Sequence, residues 1–324
     1  MSVISKLTML GAAGADGGLA VEEVFDASTY PGSGSPGAII NGIDLAGEGG
    51  LVWIKNRDTS KDHRLFDSNR PLDKSLRSNE SGSEDDIGDP LTFNYDGFTL
   101  SSSSDVNQSS NNHVAWTFRK APNFFDVVTY TGNSSATQFV SHNLGAQPGM
   151  VIIKSVSSTN PWYVWHRNAT GETILDGTNA QIGGYTAAFN DGSVYASGVR
   201  VDNSANQNGV NYVCYVFGHD TVGDGVIKCG TYSNVANGGY VDIGFEPQFL
   251  ILKKISGAAP WYMFDAARGM TSSTKFLSPN TNNEELGLNG NITPTSTGFI
   301  MDTSETDIMG SGTFIYMAIK AEGA

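Results

Sequence analysis

The sequence predicts an all-β protein built from three tandem β-sandwich-like repeats of about 99 residues behind a short N-terminal arm. Three observations carry this. An apolar run closed by a lysine occurs three times, as Leu51-Val52-Trp53-Ile54-Lys55, Met150-Val151-Ile152-Ile153-Lys154 and Phe249-Leu250-Ile251-Leu252-Lys253, each lysine 99 positions from the next. An aromatic segment follows each run, with Phe66, Trp165 and Phe264 again 99 apart. No stretch has the apolar periodicity of a three-turn amphipathic helix, while Gly, Asn and Ser crowd the intervals.

In chain order, residues 1–20 form a Gly/Ala-rich attachment arm, and the repeats span 21–122, 123–224 and 225–324. The lysine-closed runs lack alternation, as expected of central strands covered on both faces. Pro148 and Pro247 hold the residues before the second and third runs extended. The segments 63–67, 162–166 and 261–265 read as second strands. In two of them Pro161 and Pro260 stand at the start, where a missing N–H is tolerated. Gly97-Phe98-Thr99-Leu100, Gly198-Val199-Arg200-Val201 and Gly298-Phe299-Ile300-Met301 align next. The closing strands align as Val114-Ala115-Trp116, Val213-Cys214-Tyr215 and Phe314-Ile315-Tyr316. Asn190-Asp191-Gly192 and Asp224-Gly225 are turn signals, and 173–178 or 272–277 are expected as short helical turns. Cys214 and Cys229 flank a turn at 218–225 symmetrically, which predicts that they face each other in a hairpin as reduced thiols. Sandwiches in series and lobes around a pseudo-threefold axis both fit this pattern.

Charged residues make up 16% of the chain, against roughly 25% in ordinary soluble domains, so Ser, Thr, Asn and Gly must cover the surface. The net charge of -14 and a pI near 4.6 argue against nucleic-acid partners and anionic membranes. Two cysteines do not make a disulfide framework, and no run is long enough for membrane insertion as a helix.

Gly50-Leu51-Val52-Trp53-Ile54-Lys55-Asn56-Arg57-Asp58, followed by His63-Arg64-Leu65-Phe66-Asp67-Ser68, resembles a repeat family in virion proteins of tailed phages, mostly marine and cyanophage-like. Asn94-Tyr95-Asp96-Gly97-Phe98-Thr99-Leu100, the ending Gly312-Thr313-Phe314-Ile315-Tyr316-Met317-Ala318-Ile319 and the opening Leu7-Thr8-Met9-Leu10-Gly11-Ala12-Ala13-Gly14-Ala15 are similar to the same proteins. The resemblance covers nearly the whole chain and brings no catalytic residue with it. The middle repeat departs furthest, with His166 for the aspartate and Ala169 where Arg70 and Arg268 stand. The resemblance implies a tail fibre or appendage protein, assembled in the bacterial cytoplasm and located in the virion tail.

The candidate ligand-contact residues are the aromatics Trp162, Tyr163, Trp261 and Tyr262. In a strand such neighbours point to opposite faces, so part of the set must leave its own core, for a sugar ring or an interface. Packing between repeats is the weightier alternative. Ile4, Leu7, Met9 and Leu10 are too apolar for a solvated tail and too few for a core, so they are expected to dock on a partner. Asp67…Arg70 and Asp265…Arg268 share one spacing and read as surface ion pairs of little energy. Lys55, Lys154 and Lys253 read as strand-end lysines that snorkel to water. Gly32-Ser33-Gly34-Ser35-Pro36-Gly37 matches G-x-G-x-x-G in form but lacks the strand and helix of a phosphate loop. The acidic loops Glu84-Asp85-Asp86…Asp89 and Asp220…Asp224 lack calcium-site spacing, and the five histidines lack metal-ligand spacing.

No catalytic residue, metal or cofactor is expected. The expectation is a non-enzymatic tail structural protein that docks to other tail proteins through its N-terminus. It is expected to form a homo-oligomer, trimer before hexamer, with host-surface contact as a second task. A lectin-like adhesin is the alternative and a polysaccharide depolymerase ranks last.

Overall fold

The lysine-closed runs are indeed strands buried on both faces, and they organise everything else. The computed structural model describes residues 18–324 apart from 89, 222, 224, 271 and 272. The N-terminal docking residues Ile4, Leu7, Met9 and Leu10 lie outside the described residues. The fold is all-β: among the described residues there are antiparallel sheets and short 3₁₀ turns, and no α-helix.

The strands fall into three lobes of nine. Lobe 1 holds β1 (Phe25–Pro31), β2 (Gly37–Ile40), β3 (Gly50–Asn56), β4 (Arg64–Asp67), β5 (Lys74–Ser75), β6 (Asp85–Asp86), β7 (Leu91–Asn94), β8 (Gly97–Leu100) and β9 (Asn112–Arg119). Lobe 2 holds β10 (Phe125–Thr131), β11 (Gln138–Ser141), β12 (Met150–Ser155), β13 (Tyr163–His166), β14 (Gly171–Ile174), β15 (Ile182–Gly183), β16 (Phe189–Tyr195), β17 (Gly198–Val201) and β18 (Asn211–Phe217). Lobe 3 holds β19 (Ile227–Val235), β20 (Gly239–Asp242), β21 (Pro247–Lys254), β22 (Trp261–Asp265), β23 (Lys275–Phe276), β24 (Leu286–Gly287), β25 (Gly290–Thr295), β26 (Gly298–Thr303) and β27 (Gly310–Lys320). The pairing orders correspond: β1-β9-β3-β4 and β2-β8-β7 in lobe 1 recur as β10-β18-β12-β13 with β11-β17-β16, and as β19-β27-β21-β22 with β20-β26-β25.

Alternation assigns the two faces of each central strand. Val52 and Ile54 of β3 join Phe66 and Phe98 in lobe 1's own core, between its two sheets. Leu51 and Trp53 point the other way, into a cluster that also takes Met150 and Ile152 from β12 and Phe249 and Ile251 from β21. One core is therefore shared by all three lobes. Phe118 sits at its crossing point, its ring 5.0 Å from Phe25, 5.6 Å from Phe217 and 6.1 Å from Phe249. Phe66, Trp165 and Phe264 are buried in the separate cores of lobes 1, 2 and 3.

Four expectations are corrected. The third closing strand aligns one residue later: Trp53 pairs with Trp116, Ile152 with Tyr215 and Ile251 with Met317, so Met317 and not Tyr316 faces the shared core. Asn190-Asp191-Gly192 is a bulge inside β16, with positive φ at Asp191 and Gly192, and not a hairpin turn. The segments 173–178 and 272–277, candidates for short helical turns, contribute strand residues to β14 and β23, and residue 272 lies outside the described residues. Cys214 and Cys229 do not face each other: β18 pairs with β10 and β12, β19 pairs with β27, and the two free thiols lie in different cores. The segment between them links two lobes and does not close a hairpin.

Candidate functional site

The polar residues that recur along the sequence converge on the junctions between lobes. Positions 63, 162 and 261 open equivalent aromatic strands, and each sends a ring nitrogen to a carbonyl of a neighbouring lobe. Trp162 Nε1 donates to Arg77 O and Glu80 O at 3.0 Å, Trp261 Nε1 donates to Ile174 O at 2.9 Å, and His63 Nε2 lies 3.1 Å from Ser278 O. The lobes are thus joined 2 to 1, 3 to 2 and 1 to 3, a closed ring. Backbone contacts repeat the same cycle: Glu84 N donates to Val156 O, Gln181 N to Ile255 O and Glu285 N to Arg57 O. Arg57 adds a bidentate pair across the last junction, its Nε and Nη2 at 2.9 and 2.8 Å from the Glu285 carboxylate.

Each junction also holds a buried polar centre. Tyr215 donates its hydroxyl to Asp67 Oδ2 at 2.8 Å, and Trp116 Nε1 donates to Asp265 Oδ2 at 2.8 Å. Arg70 and Arg268 pair with these same carboxylates at 2.8 and 2.6 Å, with side chains almost fully buried. The expected surface ion pairs are therefore interior ones. The guanidinium of Arg268 also lies 5.4 Å over the Trp116 ring. At the third junction Met317 offers no donor, and His166 stands in place of the aspartate, its Nε2 3.0 Å from Tyr316 O. With no carboxylate to neutralise, the arginine position is Ala169. Burial pushes the His166 imidazole down to about 4 and holds that of His63 well below its ordinary value.

The three lysines do not snorkel. All are fully buried, and burial lowers each to about 8. Lys154 Nζ donates to Asn160 O and, across the junction, to Ser81 O. Lys253 Nζ does the same to Ala259 O and Thr178 O, whereas Lys55 Nζ stays within its lobe on Asn56 O and Thr59 O.

Trp162, Tyr163, Trp261 and Tyr262 are all buried, Trp162 and Trp261 in the shared core and the tyrosines in the cores of their own lobes. Their burial leaves no open ring face for a sugar, while Trp162 and Trp261 pack between lobes, as the weightier alternative had it. Of the first acidic loop, Glu84, Asp85 and Asp86 are engaged by bases, Glu84 with Arg70, Asp85 with Arg64 and Arg77, and Asp86 with Lys74, and Asp89 lies outside the described residues. Gly32 N and Gly34 N donate to Asn111 O and Asn107 O, so the glycine-rich loop presents neither amide to a phosphate. Among the described residues no three His, Cys, Asp or Glu side chains gather as a metal-holding group.

Exposed apolar side chains recur on the outer faces of the three-stranded sheets, near their hairpin tips: Ile40 and Tyr95 in lobe 1, Phe139 and Tyr195 in lobe 2, Tyr240 in lobe 3. The lobe 2 group was not legible in the sequence, because it depends on a cross-strand register that sets Phe139 opposite Arg200 and Tyr195 opposite Gly198. A cleft of about 290 Å³ opens where the lobes connect, lined by Leu19, Pro122, Asn123, His219 and Val226, beside the point where residue 18 enters.

No curated protein matches this sequence. One family description, "Domain of unknown function (DUF7483)", matches residues 21–323 and so spans all three lobes. The chain belongs to that family of unknown function.

Proposed function

We propose that this chain is a structural protein of a bacteriophage virion tail, a fibre or appendage component made of three tandem 99-residue sandwich repeats (21–122, 123–224 and 225–324) that docks through residues 1–20. One observation carries the reading: two sets of positions that recur along the chain, 63/162/261 and 57/156/255, make the contacts that close the lobes into a ring. The 63/162/261 rings and the 57/156/255 carbonyls are junction contacts, and the buried lysines and aspartates are held by carbonyls and rings. Such a body is a rigid block whose outer surface is left for neighbours. The motif resemblance to tail proteins supplies the setting, and the cleft beside residue 18 is a place where a partner can hold the arm. Assembly is proposed as a homo-oligomer, trimer ahead of hexamer.

Mass spectrometry and a reconstruction of purified particles test this. The chain is expected in the tail, and removal of residues 1–18 is expected to leave soluble, folded protein that fails to enter particles. Absence from particles, or normal incorporation of the shortened chain, overturns the reading.

A further inference from the structure

We propose that the outer face of the β11-β17-β16 sheet is a binding site for an acidic sugar, a uronic- or sialic-acid residue of a glycan. This goes beyond the virion reading and does not rest on it. Phe139 and Tyr195 are the only two large rings among the described residues that are both exposed and in contact, 47% and 43% exposed with centroids 6.3 Å apart and planes 43° apart. The Phe139 ring lies against Gly198, where an added Cβ would come within 2.5 Å of Cζ and 2.6 Å of Cε1, so the missing side chain lets the ring rest on the strand while about half of the residue stays exposed. Tyr240 lies over Gly298 in the same way in lobe 3, so covering a strand glycine explains why a ring stands at this position. It does not explain the second ring or the cation, which lobe 3 lacks: Thr295 and Ile300 stand where lobe 2 has Tyr195 and Arg200.

Arg200 is the cross-strand partner of Phe139 and sits 5.8 Å over the Tyr195 ring. It makes no ion pair among the described residues. Of the two acids beside it along the sheet, Asp202 caps Asn203 N and accepts from Asn190 Nδ2, and Asp191 stands in the β16 bulge between the partners of Val199 and Val201; neither forms an ion pair with Arg200. A flat ring offers the C–H face of a pyranose a surface to stack on, and the second ring tilts up beside it. A guanidinium alongside supplies the paired donors that a sugar carboxylate takes. On a chain of net charge -14, that local cation is what selects an acidic sugar over a neutral one at this patch.

The full chain would be applied to an array carrying uronic- and sialic-acid-terminated glycans beside their neutral parents, and each responding glycan titrated by NMR. Acidic members are expected to bind and their neutral parents to bind roughly tenfold or more weakly. Arg200→Gln should remove that preference, Tyr195→Ser should abolish binding, and Tyr240→Ala should change neither. Unfolding temperatures of the variants separate lost binding from lost folding. No binding to any acidic glycan, equal binding of neutral parents, or binding that survives Arg200→Gln unchanged overturns the proposal. None of these outcomes bears on whether the chain is present in a virion.

Discussion

Tyr215 of lobe 2 reaches across a junction to the same oxygen of Asp67 that Arg70 of lobe 1 holds, so one buried carboxylate ties a turn and a neighbouring lobe together. Removing that carboxylate leaves the buried Nε of Arg70 and the Tyr215 hydroxyl without their acceptor, while Glu84 still pairs with Arg70. Asp67→Ala is therefore expected to cost about 2–4 kcal/mol, and Tyr215→Phe, which leaves both ion pairs intact, about 1–2 kcal/mol. Urea unfolding of the two variants measures both. Equal and small losses would show that the centre is not buried as described.

The third junction makes the opposite prediction. His166→Asp restores the residue type of the other two lobes, yet Met317 cannot donate to it and Ala169 cannot neutralise it. The change is expected to destabilise by about 1–3 kcal/mol, and adding Ala169→Arg should recover part of the loss. A neutral or stabilising His166→Asp would mean that the junctions tolerate any polar residue.

Stability should vary with pH at both ends. The His166 imidazole titrates near 4 in the folded chain and near 6.5 when unfolded, so the unfolded chain holds more protons between these values. Its contribution is complete above 6.5 and is lost as pH falls toward 4, at most about 3 kcal/mol. His166→Gln should flatten that part of the acid limb. The lysines act at the other end. Each is lowered to about 8 against 10.5 when unfolded, so stability should rise with pH across that window. Unfolding midpoints from pH 4 to 10.5 test both slopes.

A single lobe should not fold alone. Residues 21–122 expressed by themselves would expose Leu51, Trp53, Trp116 and Phe118, all buried in the intact chain. An aggregated product or one without dispersed amide resonances is expected, and a well-dispersed spectrum would contradict the shared core.

Both thiols should be inert. Cys214 and Cys229 are fully buried and burial pushes each thiol up. Thiol-specific reagents should label neither until the chain unfolds, and fast labelling of either would place it at the surface.

Strand positions were legible because apolar runs and aromatic segments carry their own period. Leu51–Lys55 could be read as a central strand without knowing its neighbours. The face of the last strand could not: Phe314-Ile315-Tyr316-Met317-Ala318-Ile319 is apolar throughout, so nothing in it marks which residues point to which core. The depth of Asp67 and Arg70 was illegible for a different reason. Isolated charges with one short-range partner look like surface pairs, and only lobe closure, here a contact from Tyr215, 148 residues away, takes them out of water. The same long-range closure turned Trp162 and Trp261 from candidate ligand platforms into junction donors.

Because lobe 3 meets lobe 1 through the same kinds of contact by which lobe 1 meets lobe 2, the ring has no structural beginning. Phe25, at the start of lobe 1, packs 5.4 Å from Phe249, whose strand partner is Ile319 near the chain's end. Lobes 3 and 1 thus meet without a peptide link at a junction of the same kind as that between lobes 1 and 2, which makes the segment joining lobes 1 and 2 a second place to open the polypeptide. A circular permutant opened in the segment joining lobes 1 and 2 would keep every junction donor and acceptor, yet would present its free end at a different vertex of the body. The place from which a tether leaves this protein can therefore be moved from one lobe boundary to the next without redesigning what it holds together.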